Sequence, residues 1–435
     1  MNPSEEFQAT IQSLEQALRQ EGDRLVGDFQ GLKLFSQFQP VFSLAHQRQI
    51  GLEAIFSGVD AGQPDGGTLT SYNIFSRIPP DAVVRMDQLR ILQHLKNFKN
   101  SGITDRWIFL NLHPKIMMTE GDRDIRFFLE MLEYTGVPPQ QVVVALREHS
   151  EVSSDKITVA IKTLRKAGCL TLFDDYSAVA ANLDRLWALR PDMVKLQRSF
   201  IDNALSNKQA LRMLNKLVSL IHASGCTVLL EKIETDDEAI IALETTVDFV
   251  EGHYFGLPTP RPVRQEVRYS QSLFNDLAEK HNRALQRSTW ALKNELSDIQ
   301  NDFMDCAWSL GDDQSLEDAG QRLLRKKRVE RIYLLDETGH QVGPHFYGEY
   351  QRLHNDARHL PLEDSVGATF ARRSIFSDAV RHPSIVQTSD PFRSISSMNT
   401  SVTLSVALRV QGHTNVLCCD VRWDEGVLTV ETHGV

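Results

Sequence analysis

Two rhythms alternate along the first 260 residues. Short apolar runs with strand-like character stand at 34–39, 50–56, 107–112, 142–146, 170–175, 192–196, 227–231 and 247–251. Between most of them the apolar spacing lengthens to the three-and-four pattern of an amphipathic helix. Strands that alternate with helices pack as a sheet covered by helices, and eight of them predict a closed barrel. The first two runs are separated only by the turn-like stretch Leu44–Gln49, which predicts a hairpin and so an antiparallel start. The expectation is an α/β fold: a modified (β/α)8 TIM-type barrel over residues 33–262. Ahead of it, Ile11, Leu14, Leu18 and Leu25 have helical spacing and predict an N-terminal helical segment over residues 1–32.

Beyond the barrel the rhythm changes twice. Residues 263–310 contain no glycine or proline, and Leu292, Leu296, Ile299, Phe303, Cys306 and Leu310 follow a 4-3-4-3-4 spacing. This predicts a long connecting helix whose apolar seam packs against a dimer partner or a second domain. Residues 311–435 hold a helical stretch at Leu316–Leu324, a strand–turn–strand at 331–343, and two strands, 403–410 and 416–423, around a turn at QGHTN. That content predicts a small α+β domain.

Composition narrows the class of protein. A hydrophobic fraction of 41%, a charged fraction of 24% and a net charge of −10 describe a folded, acidic protein and argue against a binder of nucleic-acid polymers. No run reaches the length of a membrane span, and the first residues are polar, so the expected location is cytoplasmic. The five cysteines (Cys169, Cys226, Cys306, Cys418, Cys419) form no CxxC and predict buried free thiols.

The candidate chemistry lies where the apolar runs stop. Glu53, Asn111, Asp174, Asp175, Lys195 and Glu231 each fall at or near the end of a run. In a barrel of this type those ends form the functional rim. Carboxylates and carboxamides crowded there need compensation, which a hard divalent cation such as Mg2+ or Mn2+ supplies.

In order along the chain stand FQPVFSL, GLEAI, FLNLHP, LFDDY, MVKL, LLEKIET and EGHYFGLPTP. Together they resemble the EAL domain family, which hydrolyses cyclic-di-GMP to the linear dinucleotide with two Mg2+ or Mn2+ ions. The resemblance implies metal ligands at Glu53, Asn111, Asp174, Asp175 and Glu231 and a water-orienting Lys195. It also implies a bracing Glu234 for the loop after the aspartates, and contacts to the nucleotide at Gln39 and, on the last strand, at Glu251. It further implies cyclic-di-GMP as partner and a homodimer.

The departures from the family pattern are specific. A glutamate that ligates metal in the family is Ala145, and Glu148, three residues on, is expected on the opposite face of the strand. The arginine that grips a substrate phosphate is Ser57, an aspartate is Gln197, and a glutamine is Glu251. The loop beginning YSAVAANL lacks the family's glycines. These changes predict a cyclic-di-GMP signalling protein with a degenerate, impaired barrel that regulates or binds. The alternative is an active phosphodiesterase in which Glu251 compensates for Ala145.

The C-terminal 120 or so residues resemble PAS-like and Cache-like sensor domains. That resemblance implies a ligand pocket bounded by Phe346, Tyr347, Phe376, Asp390, Phe392 and Asp420, for a sensor ligand the sequence does not identify.

Overall fold

The computed structural model describes residues 3–62, 67–117, 123–147, 154–176, 183–265, 267–312, 314–350, 366–394, 399–410 and 412–423. The chain divides into two units, Met1–Asn282 and Arg283–Val435.

The first unit opens with helix α1 (Pro3–Glu15), followed by strands β1 (Leu18–Glu21) and β2 (Arg24–Phe29). Here the structure corrects the expected helical segment over residues 1–32. Gly22 takes a positive φ of 64° and turns the chain into a hairpin, so Leu18 and Leu25 lie on strands despite their helical spacing. A left-handed backbone at Gly22 ends any helix. The hairpin then pairs with β3 (Leu32–Ser43), where Asn97 and Gln93 of a neighbouring helix bond the Leu25 and Leu34 backbone.

From β3 the chain builds the barrel in the expected order. β4 (Arg48–Asp60), β5 (Leu69–Thr70), α2 (Ser71–Phe75) and α3 (Val83–Asn100) come first, then β6 (Trp107–Leu112), α4 (Arg123–Thr135) and β7 (Val142–Arg147). They are followed by α5 (Ser154–Ala167), β8 (Leu170–Tyr176), α6 (Leu183–Leu189), β9 (Met193–Leu196), α7 (Ser199–Ser206) and α8 (Lys208–Ala223). β10 (Thr227–Leu230), α9 (Asp236–Glu244) and β11 (Phe249–Glu251) complete it. The sheet runs β3-β11-β10-β9-β8-β7-β6-β4 and returns to β3, which closes eight strands into a ring. β3 is antiparallel to both its neighbours, as the short turn predicted, and the remaining pairs within the ring are parallel.

Side chains alternate across each strand, so an inward apolar residue is followed two positions later by an inward polar one. The pairs are Phe109 and Asn111, Leu172 and Asp174, Met193 and Lys195, Leu229 and Glu231, Phe249 and Glu251. The apolar members, with Val41, Val143 and Ala145, form a plug inside the barrel. A larger core fills the space between strands and helices, and the first turns of α10 (Val267–Gly311) join it through Phe274 and Leu277.

The second unit is a six-stranded antiparallel sheet ordered β13-β12-β17-β16-β14, with β15 also paired to β16. Its elements are α11 (Leu316–Leu324), β12 (Val329–Leu335), β13 (Gln341–Tyr347), α12 (Ser374–Arg381), β14 (Gln387–Thr388), β15 (Phe392–Arg393), β16 (Thr400–Val410) and β17 (His413–Arg422). One sheet face packs on α11 and on Ile299, Phe303, Cys306 and Leu310 of α10. The other face packs Tyr333, Leu335, Ala407, Val416 and Cys418 against Ile375 and Ala379 of α12.

This two-faced sheet corrects the expected sensor pocket. Phe346 packs with the α10 and α11 face, whereas Phe376 packs with the α12 face, so the two cannot bound one cavity. Asp390 is exposed and Phe392 half-buried on an edge strand. Asp420 is buried and fully bonded, with Arg331 Nε 2.7 Å from Oδ2 and Thr403 Oγ1 2.7 Å from Oδ1, and Arg331 pairs across β12 and β13 with Tyr347. All five cysteines are free and buried, as their scatter predicted.

His94 on α3 is a buried polar group with a pH consequence. Its Nδ1 lies 2.8 Å from Ser36 Oγ, its ring meets Phe38 and Phe56 edge-on, and Nε2 has no partner. Burial, with the nearby Arg90 charge, pushes the imidazole well below its ordinary 6.5. The folded state therefore rejects a proton that the unfolded chain accepts. The stability held above pH 6.5 is lost as pH falls, by about 1.4 kcal/mol per unit for this one proton. Thermal melts from pH 7.5 to 5 should show His94→Gln with a shallower acid-side fall than the parent; equal slopes would refute the assignment.

Candidate active site at the barrel mouth

Eight described side chains meet the barrel mouth from inward positions: Gln39, Glu53, Asn111, Arg147, Asp174, Lys195, Glu231 and Glu251. Gln39 and Glu53 face each other in register across the β3–β4 hairpin. The Asp175 side chain and Glu148 lie outside the described residues, as does the loop over 177–182.

Lys195 forms the centre. Its ammonium is 2.6 Å from Glu53 Oε2, 2.9 Å from Glu251 Oε1 and 3.8 Å from Glu231 Oε2, with the side chain only 7% exposed. Asn111 Nδ2 donates to Glu53 Oε1 at 2.9 Å, so both Glu53 oxygens are engaged. Burial alone would raise the Glu53 carboxyl, but the Lys195 charge and the donors from Glu251, Lys195 and Asn111 outweigh it and hold Glu53 at about 2. Burial, then the Glu53 charge, pushes Glu251 well above the carboxylate range. Glu251 Oε2 is buried with no donor among the described residues, which agrees with that upward shift. Desolvation would weaken the Lys195 ammonium, yet the surrounding carboxylates raise its affinity for the proton well above the ordinary value.

The remaining carboxylates also have cations of the chain beside them. Arg147 Nη2 lies 3.2 Å from Asp174 Oδ2, on residues paired in register between β7 and β8. Lys232 reaches Glu231 Oε1 at 3.3 Å from a left-handed backbone with φ of 59°, a conformation that favours glycine. The described carboxyl groups of Glu53, Asp174, Glu231 and Glu251 thus face three cations, Lys195, Arg147 and Lys232.

Ala145 sits one inward position below Arg147, in register with Asn111 on one side and Leu172 on the other. It is buried in the apolar plug, where a methyl offers no oxygen. Ser57 is buried on β4 beside the short strand β5. Glu234 pairs with Arg198 at 3.2 Å, and Arg198 also bonds Glu238 at 2.9 Å. In this structure Glu234 therefore ties the β10–α9 loop to the start of α7 and stands apart from the Lys195 cluster. Among the described residues no three Asp, Glu, His or Cys side chains converge closely enough to hold a metal ion.

Sequence reasoning named most of the mouth and missed Arg147 and Lys232. For Arg147 the signal was present: two residues beyond Ala145 on the same strand, strand alternation turns it inward. Asp87 and Arg90 on α3 were also missed. They form a buried ion pair behind β6, where Arg90 donates to the Asn111 carbonyl and Asp87 accepts from the His113 amide.

Glu251 is aimed by the residue after it. Gly252 has φ of 149°, and a Cβ there would lie 2.1 Å from the Ile233 carbonyl oxygen, whose backbone also bonds Tyr254 and Glu251.

The family profile described as EAL domain matches residues 22–258, more than half of the chain, and the chain belongs to the EAL domain family. Cyclic di-GMP phosphodiesterase RocR of Pseudomonas aeruginosa is 26% identical over 152 residues, covering 34% of this chain and 38% of RocR. An uncharacterized protein of Azorhizobium caulinodans is 27% identical over 135 residues, 31% of this chain and 18% of that one. The chain thus spans well under half of these two relatives. The Bacillus subtilis EAL-domain containing protein YkuI is 21% identical over 368 residues, 78% of this chain and 86% of YkuI. The YkuI crystal structure, in complex with c-di-GMP and calcium, matches with a TM-score of 0.73 at 20% identity, over 89% of this chain and 94% of that one. At that identity the likeness concerns the fold.

Two outcomes test the site's internal logic. Lys195→Met leaves buried carboxylates without their cation and should lower stability by about 3–5 kcal/mol at neutral pH. Adding Glu53→Gln should recover part of that loss in a denaturant-unfolding cycle. Gly252→Ala should cut the melting temperature sharply, because backbone atoms of Ile233 cannot give way; a melt unchanged from the parent would refute that packing.

Proposed function

We propose that the chain is a cyclic-di-GMP signalling protein whose EAL barrel takes the nucleotide as a regulatory ligand and is impaired in its hydrolysis. The observation that carries this reading is the charge arrangement of the mouth. Lys195, Arg147 and Lys232 compensate the described carboxylates from within the chain, and the rim position at Ala145 carries no oxygen donor. As they stand, the described residues do not fit a two-metal centre: the ammonium of Lys195 lies between Glu53 and Glu251, and Asp174 is held by a guanidinium. Without a Lewis acid on the phosphodiester or on water, hydrolysis loses its main source of rate.

What the mouth retains suits binding. Gln39 and Asn111 offer amide groups, and the apolar plug below closes the barrel floor. In this reading the protein is cytoplasmic and homodimeric; among the described residues, no helix is long and apolar enough to cross a membrane. The C-terminal unit acts as a PAS-like or Cache-like sensor whose ligand remains to be found, and α10 carries its state toward the barrel.

A second reading, an active Mg2+- or Mn2+-dependent phosphodiesterase, is favoured by one feature. Glu251 adds a buried carboxylate beside Lys195 and Glu53, which is an oxygen donor the family's glutamine does not match.

Incubation with cyclic-di-GMP and Mg2+ or Mn2+, with chromatography of the linear product, separates the two. Turnover is expected about two orders of magnitude or more below that of RocR assayed alongside. Ala145→Glu should raise it by returning an oxygen ligand to the rim. Parental turnover equal to that of RocR and abolished by Glu53→Ala would establish the second reading instead.

A further inference from the structure

We infer that Arg147 is a phosphate-binding residue of the mouth, so that a phosphodiester ligand is held by a guanidinium of the chain rather than through a bridging metal. The inference rests on the proposal that this barrel takes cyclic-di-GMP.

An anion entering this mouth meets Glu53, Asp174, Glu231 and Glu251, and it needs a cation that solvent can reach. Lys195 does not serve, because it is 7% exposed and lies among three carboxylates. Ser57, where the family has its phosphate-gripping arginine, is buried on β4 and carries only a hydroxyl. Arg147 combines the needed properties. Strand alternation places it inward, two residues beyond Ala145, and its side chain is 56% exposed at the rim.

Asp174, only 10% exposed and in register on β8, bonds Nη2 at 3.2 Å and tethers the guanidinium at the rim. A planar fork held in this way matches the spacing of two phosphate oxygens, and little conformational entropy is lost when the ligand arrives. Ala145, beneath it, adds no carboxylate to the surroundings of the guanidinium. A glutamate at 145 would bring a second carboxylate toward the same guanidinium.

The test is titration calorimetry of the full chain with cyclic-di-GMP in EDTA, with melts run in parallel to show that each variant is folded. The parent should bind without metal. Arg147→Gln should weaken affinity about ten- to a hundredfold, and Arg147→Lys should restore only part of it, since an ammonium lacks the fork. Asp174→Asn, which removes the brace but also a competing negative charge, should weaken binding less than Arg147→Gln does. If it weakens binding as much as Arg147→Gln does, Arg147 acts only through Asp174 and the inference fails. Equal affinity of the parent and Arg147→Gln in EDTA would also overturn it, while leaving nucleotide binding intact. Binding that requires Mn2+ would place the phosphate on metal and overturn it as well. Absence of binding with and without Mn2+ would overturn the proposed function itself.

Discussion

The arrangement of the mouth depends on one buried ammonium. Lys195 lies between Glu53 and Glu251 with Glu231 a little further off, and each of these groups would be costly to bury alone. The two carboxyls closest to the ammonium are driven in opposite directions: Glu53 is held at about 2, while burial and the Glu53 charge push Glu251 upward. Residues that are 142 positions apart in sequence are thereby locked together, and they bind strands on opposite sides of the ring.

The same solution recurs in the second unit. In the C-terminal unit the buried Asp420 is satisfied by Arg331 and Thr403, and Glu330 by Asn399 and Ser401. In both units a buried carboxylate is kept by donors from neighbouring strands. What distinguishes the mouth is access: Arg147 and Lys232 reach solvent, whereas the Arg331 cluster is enclosed.

The barrel was legible in the sequence because its strands obey a strict period of two and its helices a period near 3.6. The eight runs form the eight ring strands, and Gln39, Glu53, Asn111, Asp174, Lys195, Glu231 and Glu251, in seven of them, point inward for the same reason. Where a single residue reset the period, reading failed. Gly22 turned an apparent helix into a hairpin although Leu18 and Leu25 kept helical spacing. In β12, register shifts near Val329/Arg331 and Ile332/Leu334 interrupt the alternation of faces, which the spacing of the sequence does not reveal. Ala145 was legible as a loss, but Arg147 was not legible as a gain, because a charged residue past an apolar run reads as an ordinary strand end. Lys232 could be recognised only from its backbone, since spacing says nothing about a left-handed φ.

The reversed first strand has a kinetic corollary. Gln39 and Glu53 are brought face to face by a local hairpin, whereas every other partner of Glu53 must arrive over long loops, and β11 must return to β3 to shut the ring. Closing a long loop carries an entropic penalty that a hairpin escapes. The Gln39–Glu53 side of this corner is thus assembled by nearest neighbours on the ribosome, and the Glu251 side waits for the final strand to be synthesised.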